Sequence, residues 1–240
     1  LRHNARRAAE LAGAADCFAM IKADGYGHGL QRVAQALRDQ VDGFGVAVME
    51  EAVALREIDI AAPLMLLEGC FDAGEWRLAE QLQLEVVIHC TAQLDTLDQS
   101  AIKGPLAVWL KVDTGMHRIG IPCAHAAAII ESLLSKKNIR LVGLMTHFAC
   151  ADITDNVMSV SQHEKIRILA EQFQLPYSAA NSAALFRYPQ SHAARVRPGI
   201  MLYGSSPFVN QTAAQFQLSV PPNPSAKIIA LNTCPFNPSD

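Results

Sequence analysis

The chain has 240 residues, half of them hydrophobic, and a formal net charge of −3 at pH 7. That length is enough for one large α/β domain or two small ones with a buried core. The sequence has no basic run and no long apolar run, so it lacks the usual signs of a nucleic acid partner or a membrane span. Six scattered cysteines without a C-x-x-C pair predict reduced thiols, a cytoplasmic protein and no metal site.

Short apolar runs alternate with stretches of helical spacing along most of the chain. About eight such strand–helix units predict a (β/α)8 TIM barrel. A doubly wound open sheet is the alternative, but no G-x-G-x-x-G follows the first strand. The predicted strands are residues 17–21, 44–48, 63–67, 85–89, 107–112, 141–146, 177–180 and 194–197, and the predicted helices are residues 30–37, 50–58, 73–82, 91–97, 124–134 and 157–173.

The sequence changes character from Pro207 onward. Six of the twelve prolines lie between Pro207 and the end, and residues 226–231 form the only strand-like run there. We therefore predict a barrel domain over residues 1–206, followed over residues 207–240 by a linker and the start of an incomplete further domain.

Polar side chains follow several of the predicted strands. In a barrel the carboxyl ends of all the strands lie at one face, which carries the chemistry. Lys22 follows the first strand, and a lysine partly removed from water has a lowered pKa, so its amine can form a Schiff base with a carbonyl. A strand-end lysine that merely reaches solvent is the alternative. The other residues at this face are Lys111, Arg118, His147, Asn181, Ser182 and Arg197.

The loops after the seventh and eighth strands predict a phosphate site. Barrels often bind phosphate there, and Ser182 offers a hydroxyl while Gly199 and Ile200 offer backbone N–H groups. Ser182 can also be a helix N-cap, and the two roles are compatible. A phosphate at this position with a lysine opposite describes a pyridoxal phosphate site.

Five segments, MIKADGYGHG, KVDTGMHRIG, THFACAD, ANSAAL and VRPGIMLYG, resemble the signature blocks of bacterial alanine racemases. They occur in order between residue 1 and about residue 207. The resemblance implies a barrel that binds pyridoxal 5'-phosphate, followed by the start of a C-terminal β-domain. It further implies a homodimer that interconverts L-alanine and D-alanine, and so supplies D-alanine for peptidoglycan.

The resemblance also implies roles at the cofactor. Lys22 would hold the cofactor aldehyde as a Schiff base and act as the base on the D-alanine face. Arg197 would bond the ring nitrogen, and His147 would lie against the ring. The phosphate would be held by Tyr26, Ser182, Gly199 and Ile200, with Tyr203 as a further candidate, and Asn181 would also contact the cofactor.

Two further residues are implied on the substrate side. Arg118 would meet the substrate carboxylate, oriented by Lys111, which relatives often carry as a carbamate. An ordinary strand-end cation is the alternative for Lys111.

Racemisation needs a base on each face of the α-carbon. In the family the second base is a tyrosine from the β-domain of the partner subunit, and residues 208–240 contain no tyrosine. We therefore expect a racemase of impaired activity in this chain. A non-catalytic barrel that binds pyridoxal phosphate and a racemase of another small amino acid, such as serine, remain the alternatives.

Overall fold

A computed structural model describes residues 1–154 and 156–220, and the predicted strand at residues 226–231 lies outside them. The strands are β1 Asp16–Met20, β2 Gly43–Val46, β3 Leu64–Leu66, β4 Leu84–Ile88, β5 Leu106–Asp113, β6 Ile121–Pro122, β7 Ile139–Met145, β8 Tyr177–Ser178 and β9 Arg195–Val196. The helices are α1 Arg2–Ala12, α2 Lys22–Gly27, α3 Leu30–Leu37, α4 Met49–Arg56, α5 Ala73–Gln81, α6 Thr91–Gln99, α7 Cys123–Ser135, α8 Val157–Phe173 and α9 Ser182–Arg187, with short 3-10 turns at Pro189–Ser191, Ile200–Tyr203 and Ala213–Phe216.

The strands form a closed parallel barrel. Their order is β8-β7-β5-β4-β3-β2-β1-β9, and β6 adds to β5 outside the ring. Backbone N–H groups of Ala194 and Arg197 donate to the carbonyls of Tyr177 (3.2 Å) and Ala180 (2.9 Å), which joins β9 to β8. The (β/α)8 prediction is therefore confirmed, and the open-sheet alternative is wrong.

The interior of the barrel is filled with side chains. We call Phe18, Met20, Met65, Val87, Trp109 and Met145 the inner cluster. The glycines of β2 make room for it, because a Cβ at Gly43 or Gly45 would collide with the side chain of Phe18 or Met20. A second, larger apolar cluster fills the space between the strands and the helices. With the interior packed, the open space for a ligand lies at the end of the barrel.

Helix α1 was not among the predicted elements. Its buried residues are Asn4 and three alanines, so it lacks the large apolar stripe that indicates a helix in a sequence. The Asn4 amide holds α1 in place by donating to the carbonyls of Leu202 (3.0 Å) and Ser219 (2.9 Å). Phe208 and Leu218 are also buried, so residues 207–220 pack back against the barrel. The domain boundary at residue 206 stays a prediction.

None of the helices in the described part of the chain is long and apolar enough to cross a membrane. Within residues 1–154 and 156–220, no cluster of histidine, cysteine and acidic residues could hold a metal ion. Cys17, Cys70, Cys90 and Cys123 are free thiols, as expected.

Candidate active site

A cavity of about 1250 Å³ lies at the carboxyl ends of the barrel strands. Loops that follow β1, β3, β5, β7, β8 and β9 all contribute to its wall. Tyr203 is the one candidate from the sequence that does not reach it. The candidates that line it are Lys22, Tyr26, Lys111, Arg118, His147, Asn181, Ser182, Arg197, Gly199 and Ile200.

Lys22 precedes a turn of unusual conformation. The next four residues, Ala23 to Tyr26, all have φ between 53° and 61°, which is the left-handed region. For a residue other than glycine that conformation costs about 1 kcal/mol or more, so the surroundings must hold the turn. Burial, and next the charge of Arg118, lower the pKa of Lys22, while Glu68 and Glu51 oppose the shift. More of its amine is therefore uncharged near neutral pH than for a lysine in water.

Tyr26 stands at the other end of this turn, against the loop after β9. Its ring stacks on Tyr203 with centroids 4.7 Å apart. The Tyr203 hydroxyl donates to the carbonyl of Met20 (3.1 Å), so Tyr203 lies behind Tyr26 and supports it from outside the cavity. A Cβ on Gly199 would lie 2.5 Å from the Tyr26 hydroxyl. Only glycine at position 199 therefore lets the tyrosine approach this backbone.

The loops after β8 and β9 form an anion cradle, which we define as Ser182, Gly199 and Ile200. The Ser182 hydroxyl accepts hydrogen bonds from the N–H groups of Gly199 (2.9 Å) and Met201 (3.4 Å). The N–H of Ile200 begins a 3-10 turn and donates to no group in the described part of the chain. Ser182 is not the N-cap of α9, because Asn181 takes that position and accepts from the N–H of Ala184 (3.0 Å).

Arg197 is buried at the base of the cavity and bonds only neutral groups. Its Nη1 donates to the Ser178 hydroxyl, and its Nη2 donates to the carbonyls of Thr146 (2.5 Å) and Ala179 (3.5 Å). The Nε–H has no partner in residues 1–154 and 156–220. Burial, and next the charge of Arg197, lower the pKa of His147 well below its ordinary value, so this imidazole is neutral at pH 7.

Lys111 and Arg118 come from β5 and the loop after it. Burial, and next the charge of Arg197, lower the pKa of Lys111 to about 7. Asp113 closes the loop, since its carboxylate accepts from the N–H groups of Gly115 (2.9 Å) and His117 (3.1 Å). That closure leaves Arg118 exposed and facing the cavity.

The cavity therefore collects positive charge. Lys22, Lys111, Arg118 and Arg197 form no ion pair with any group in the described residues. Unpaired cations that are partly removed from water are costly, and a ligand that carries negative charge offsets that cost. The arrangement suits an anion at the cradle and a carboxylate near Arg118.

Two residues that matter for this geometry escaped the sequence analysis. The Gln162 amide, buried on α8, donates to the carbonyl of His147 (3.0 Å) and accepts from the N–H of Ala149 (3.0 Å). Glu51 bonds the N–H groups of Asp24 (3.2 Å) and Ala47 (2.8 Å). The only signal for Gln162 was a polar residue in the buried stripe of a helix, and Glu51 resembled an ordinary acidic residue at a helix start.

The fold and the site together define a (β/α)8-barrel protein with a cationic cavity that contains a lysine and an anion cradle. We call the carboxyl end of the barrel, where this cavity opens, the mouth. A sequence model of the family described as "Alanine racemase, N-terminal domain" matches residues 1–207. By this match the chain belongs to the alanine racemase N-terminal domain family.

Individual relatives agree with the family match. The alanine racemase of Alcanivorax borkumensis is 52% identical over 232 residues, which cover 97% of this chain and 65% of the relative. A crystal structure of biosynthetic alanine racemase from Pseudomonas aeruginosa matches with a TM-score of 0.86 and 41% identity, covering 91% of this chain and 61% of that chain. The structure of alanine racemase from Acinetobacter baumannii matches with a TM-score of 0.85 and 34% identity, covering 91% of this chain and 65% of that chain. The chain thus spans just under two thirds of the length of the relatives it matches.

Proposed function

We propose that this protein interconverts L-alanine and D-alanine with pyridoxal 5'-phosphate as cofactor, and that the product D-alanine is used for peptidoglycan. The observation that carries the proposal is the meeting of Lys22, the anion cradle and unpaired cations around one cavity. Membership of the alanine racemase family supports alanine as the substrate.

The donor groups of the cavity fit the cofactor. Pyridoxal phosphate has an aldehyde, a phosphate and a ring nitrogen, and each has a matching group here. Lys22 offers an amine, the N–H of Ile200 and the hydroxyls of Ser182 and Tyr26 offer an anion site, and Arg197 offers its unused Nε–H. Asn181, already bonded to Ala184, would shape the site beside Ser182. When bound, the cofactor supplies an electron-withdrawing ring that stabilises negative charge on the α-carbon.

Lys22 is proposed to accept and return the α-proton on the D-alanine face. Burial lowers the pKa of its amine, which brings a proton acceptor closer to the operating pH. Neutral His147, packed beside Arg197, would lie against the cofactor ring. Arg197 keeps its own proton at neutral pH, so it would donate a hydrogen bond to the ring nitrogen without protonating it. This restricts how far negative charge spreads into the ring, which favours return of the proton to the α-carbon.

Arg118 is proposed to bind the substrate carboxylate, with Lys111 orienting it. Because the pKa of Lys111 is about 7, its amine is half uncharged at neutral pH. An uncharged amine can add to carbon dioxide, forming an N–C bond and releasing one proton. The resulting carbamate would carry a negative charge facing Arg118 and Arg197, and so relieve the excess of positive charge.

We also propose that the protein works as a cytoplasmic homodimer. Free thiols such as Cys17 and Cys70 suit a reducing compartment. Phe71 at the cavity and Val157 and Val160 on α8 are large apolar residues that are 60%, 81% and 60% exposed, which supports a protein contact near the mouth.

Exchange of the α-proton in deuterated water tests the proposal. With pyridoxal phosphate added, the chain should exchange the α-proton of D-alanine, and Lys22→Ala should reduce the rate by at least about 100-fold. Lys103→Ala, at an exposed lysine far from the cavity, should not change it. Exchange that survives in Lys22→Ala would remove Lys22 from the mechanism.

Two other outcomes would redirect the proposal. Cofactor binding at Lys22 with no exchange of either alanine isomer would favour a non-catalytic binding protein. Faster exchange of serine than of alanine would assign a different substrate to the same site.

A further inference from the structure

The turn after Lys22 is held from two sides by its second residue. On the far side, the Asp24 carboxylate accepts from the N–H of Leu30 (2.7 Å), and the Asp24 carbonyl accepts from the N–H of Gly29 (2.9 Å). On the near side, the Asp24 N–H donates to Glu51 Oε1 (3.2 Å). Asp24 is therefore one of the residues that attach the left-handed turn to the rest of the barrel, beside the stacking of Tyr26 on Tyr203.

Glu51 is bonded at both of its oxygens. While Oε1 accepts from Asp24, Oε2 accepts from the N–H of Ala47 (2.8 Å), the first residue after β2. Strands β1 and β2 are neighbours, with Met20 opposite Gly45, and the N–H of Ile21 extends the pairing to the carbonyl of Gly45 (2.9 Å). The carboxylate thus ties the turn that follows β1 to the end of β2.

We propose that Glu51 is a positioning residue for Lys22, which it serves by fixing the left-handed turn to the end of β2. The inference rests on the proposed function only for what Lys22 does once it is in place. The bonds of Glu51 exist in the protein alone, so they can be tested without cofactor.

The charge of Glu51 gives a second, independent signature. The charged and titratable groups that face Lys22 are Arg118, Glu68 and Glu51, with Lys111 and His147 across the cavity. Glu51 and Glu68 are the two that favour the protonated amine. Removal of the Glu51 charge should therefore lower the pKa of Lys22 further.

Glu51→Gln is the variant of choice because it keeps the shape of the side chain. A glutamine has one acceptor oxygen in place of two, so one of the two N–H groups loses its partner, and the charge is lost as well. Glu50→Gln is the matched control. Glu50 lies in the same first turn of α4 and is exposed, and it accepts no hydrogen bond within the described residues.

The first measurement is amide hydrogen exchange of the full 240-residue chain. We expect the amides of residues 23–30 to exchange at least about tenfold faster in Glu51→Gln than in the parent or in Glu50→Gln. The second is the pH dependence of Lys22 acetylation by acetic anhydride, read by peptide mass spectrometry. Its midpoint should move to lower pH in Glu51→Gln alone.

The third measurement is capture of pyridoxal phosphate, in which the adduct at Lys22 is reduced with borohydride and quantified. At high pH, where the amine is uncharged in every variant, Glu51→Gln should capture roughly tenfold more slowly because the amine is misplaced. If Glu51→Gln folds poorly, Glu51→Asp takes its place. The shorter side chain keeps the charge, so exchange should still rise while the acetylation midpoint stays near that of the parent.

The outcomes separate the two proposals. If Glu51→Gln matches Glu50→Gln in exchange and in the acetylation midpoint, Glu51 is not a positioning residue, even though the parent captures the cofactor. If the first two measurements behave as expected but the parent captures no cofactor, the inference about Glu51 stands and the cofactor assignment falls.

Discussion

Arg195 lies in β9 and Arg197 directly follows that strand, and the two show how differently charge is compensated at the two ends of the barrel. Alternate residues of a strand share a face, so Arg195 and Arg197 both point into the barrel. Arg195 pairs with Glu85 and with Asp16 (3.3 Å), and its guanidinium lies 3.6 Å from the ring centre of Phe18. Arg197 bonds a hydroxyl and two carbonyls, and its charged neighbours around the cavity are cations.

The contrast separates charges that stabilise the fold from charges that are available to bind a ligand. At the amino end of the barrel each buried charge has its counter-charge within the protein, and Trp109 adds a hydrogen bond to Glu85 (2.6 Å). At the carboxyl end the counter-charge must arrive with a ligand. We call Arg195, Glu85, Asp16 and Trp109 the floor. Its charges are paired within the protein, although the buried Nε–H of Arg195 has no hydrogen-bond partner among the described residues, whereas the cations of the mouth are paired only when a ligand is bound.

The largest effect on stability should come from breaking the floor. Arg195→Met leaves the partly buried carboxylate of Glu85 without its cation, and we expect the free energy of unfolding to fall by about 3 kcal/mol. Denaturant unfolding measures it. Arg167→Met is the matched control, because Arg167 also bridges two carboxylates, Glu164 and Glu171, but on the surface. Its loss should be much smaller than that of Arg195→Met, because exposed ion pairs are screened by water. Equal losses in the two variants would contradict the comparison.

The next effect is a pH dependence of the free energy of unfolding, which arises from Lys111 at the mouth. The pKa of Lys111 is 10.5 in an unfolded chain and about 7 in the fold, so between these values the unfolded chain binds more protons. Stability should therefore rise with pH over this window, by about 2 kcal/mol between pH 7 and pH 9 from this group. Lys111→Met should flatten that part of the profile. A slope that is unchanged in Lys111→Met would mean that Lys111 is not depressed.

A smaller loss of stability is expected from Arg197→Met. The variant leaves the Ser178 hydroxyl and the Thr146 carbonyl without their donor, but it also relieves repulsion among the cations. We expect a loss of about 1.5 kcal/mol in unfolding free energy, half of that for Arg195→Met. The pH profile should report an upward shift of the Lys111 midpoint. A loss as large as that of Arg195→Met would show that the mouth is as self-contained as the floor.

The smallest expected effect is a change in the affinity of the anion cradle for pyridoxal phosphate. In Gly199→Ala the new methyl group would press on the Tyr26 hydroxyl, and affinity for pyridoxal phosphate should fall about fivefold, or about 1 kcal/mol. Tyr26→Phe removes the atom in conflict. Gly199→Ala should therefore cost less in a Tyr26→Phe background, measured by equilibrium titration. Additive costs would show that the two residues do not press on each other.

The barrel could be predicted from sequence because its strands are short apolar runs separated by helical spacing. The gathering of Lys22, Ser182 and Arg197 followed from topology, since strand ends of a barrel share one face. Helix α1 escaped because alanines and Asn4 do not form a recognisable stripe. The left-handed turn escaped as well, because Ala23 and Asp24 have no local preference for that conformation.

Other details depend on contacts between distant parts of the chain. Sequence offered Ser182 as an N-cap, but Asn181 fills that role and leaves the serine hydroxyl to the backbone of Gly199. Tyr203, which the resemblance implies near the phosphate, stacks on Tyr26 and does not line the cavity. Glu51 bonds Ala47 only four residues away, but its bond to Asp24 spans 27 residues, and the fold decides that pairing. Gln162 bonds Ala149 and His147, 13 and 15 residues before it, because the loop after β7 folds back onto α8.

The inner cluster affects the order in which cofactor and substrate bind and leave. Since Phe18, Trp109 and Met145 fill the barrel below the cavity, the described part of the chain offers a bound molecule a single way in and out. A cofactor seated deep, between Lys22 and the cradle, would have to enter before the amino acid and could depart only after it. Substrate should accordingly slow the escape of cofactor from the loaded protein.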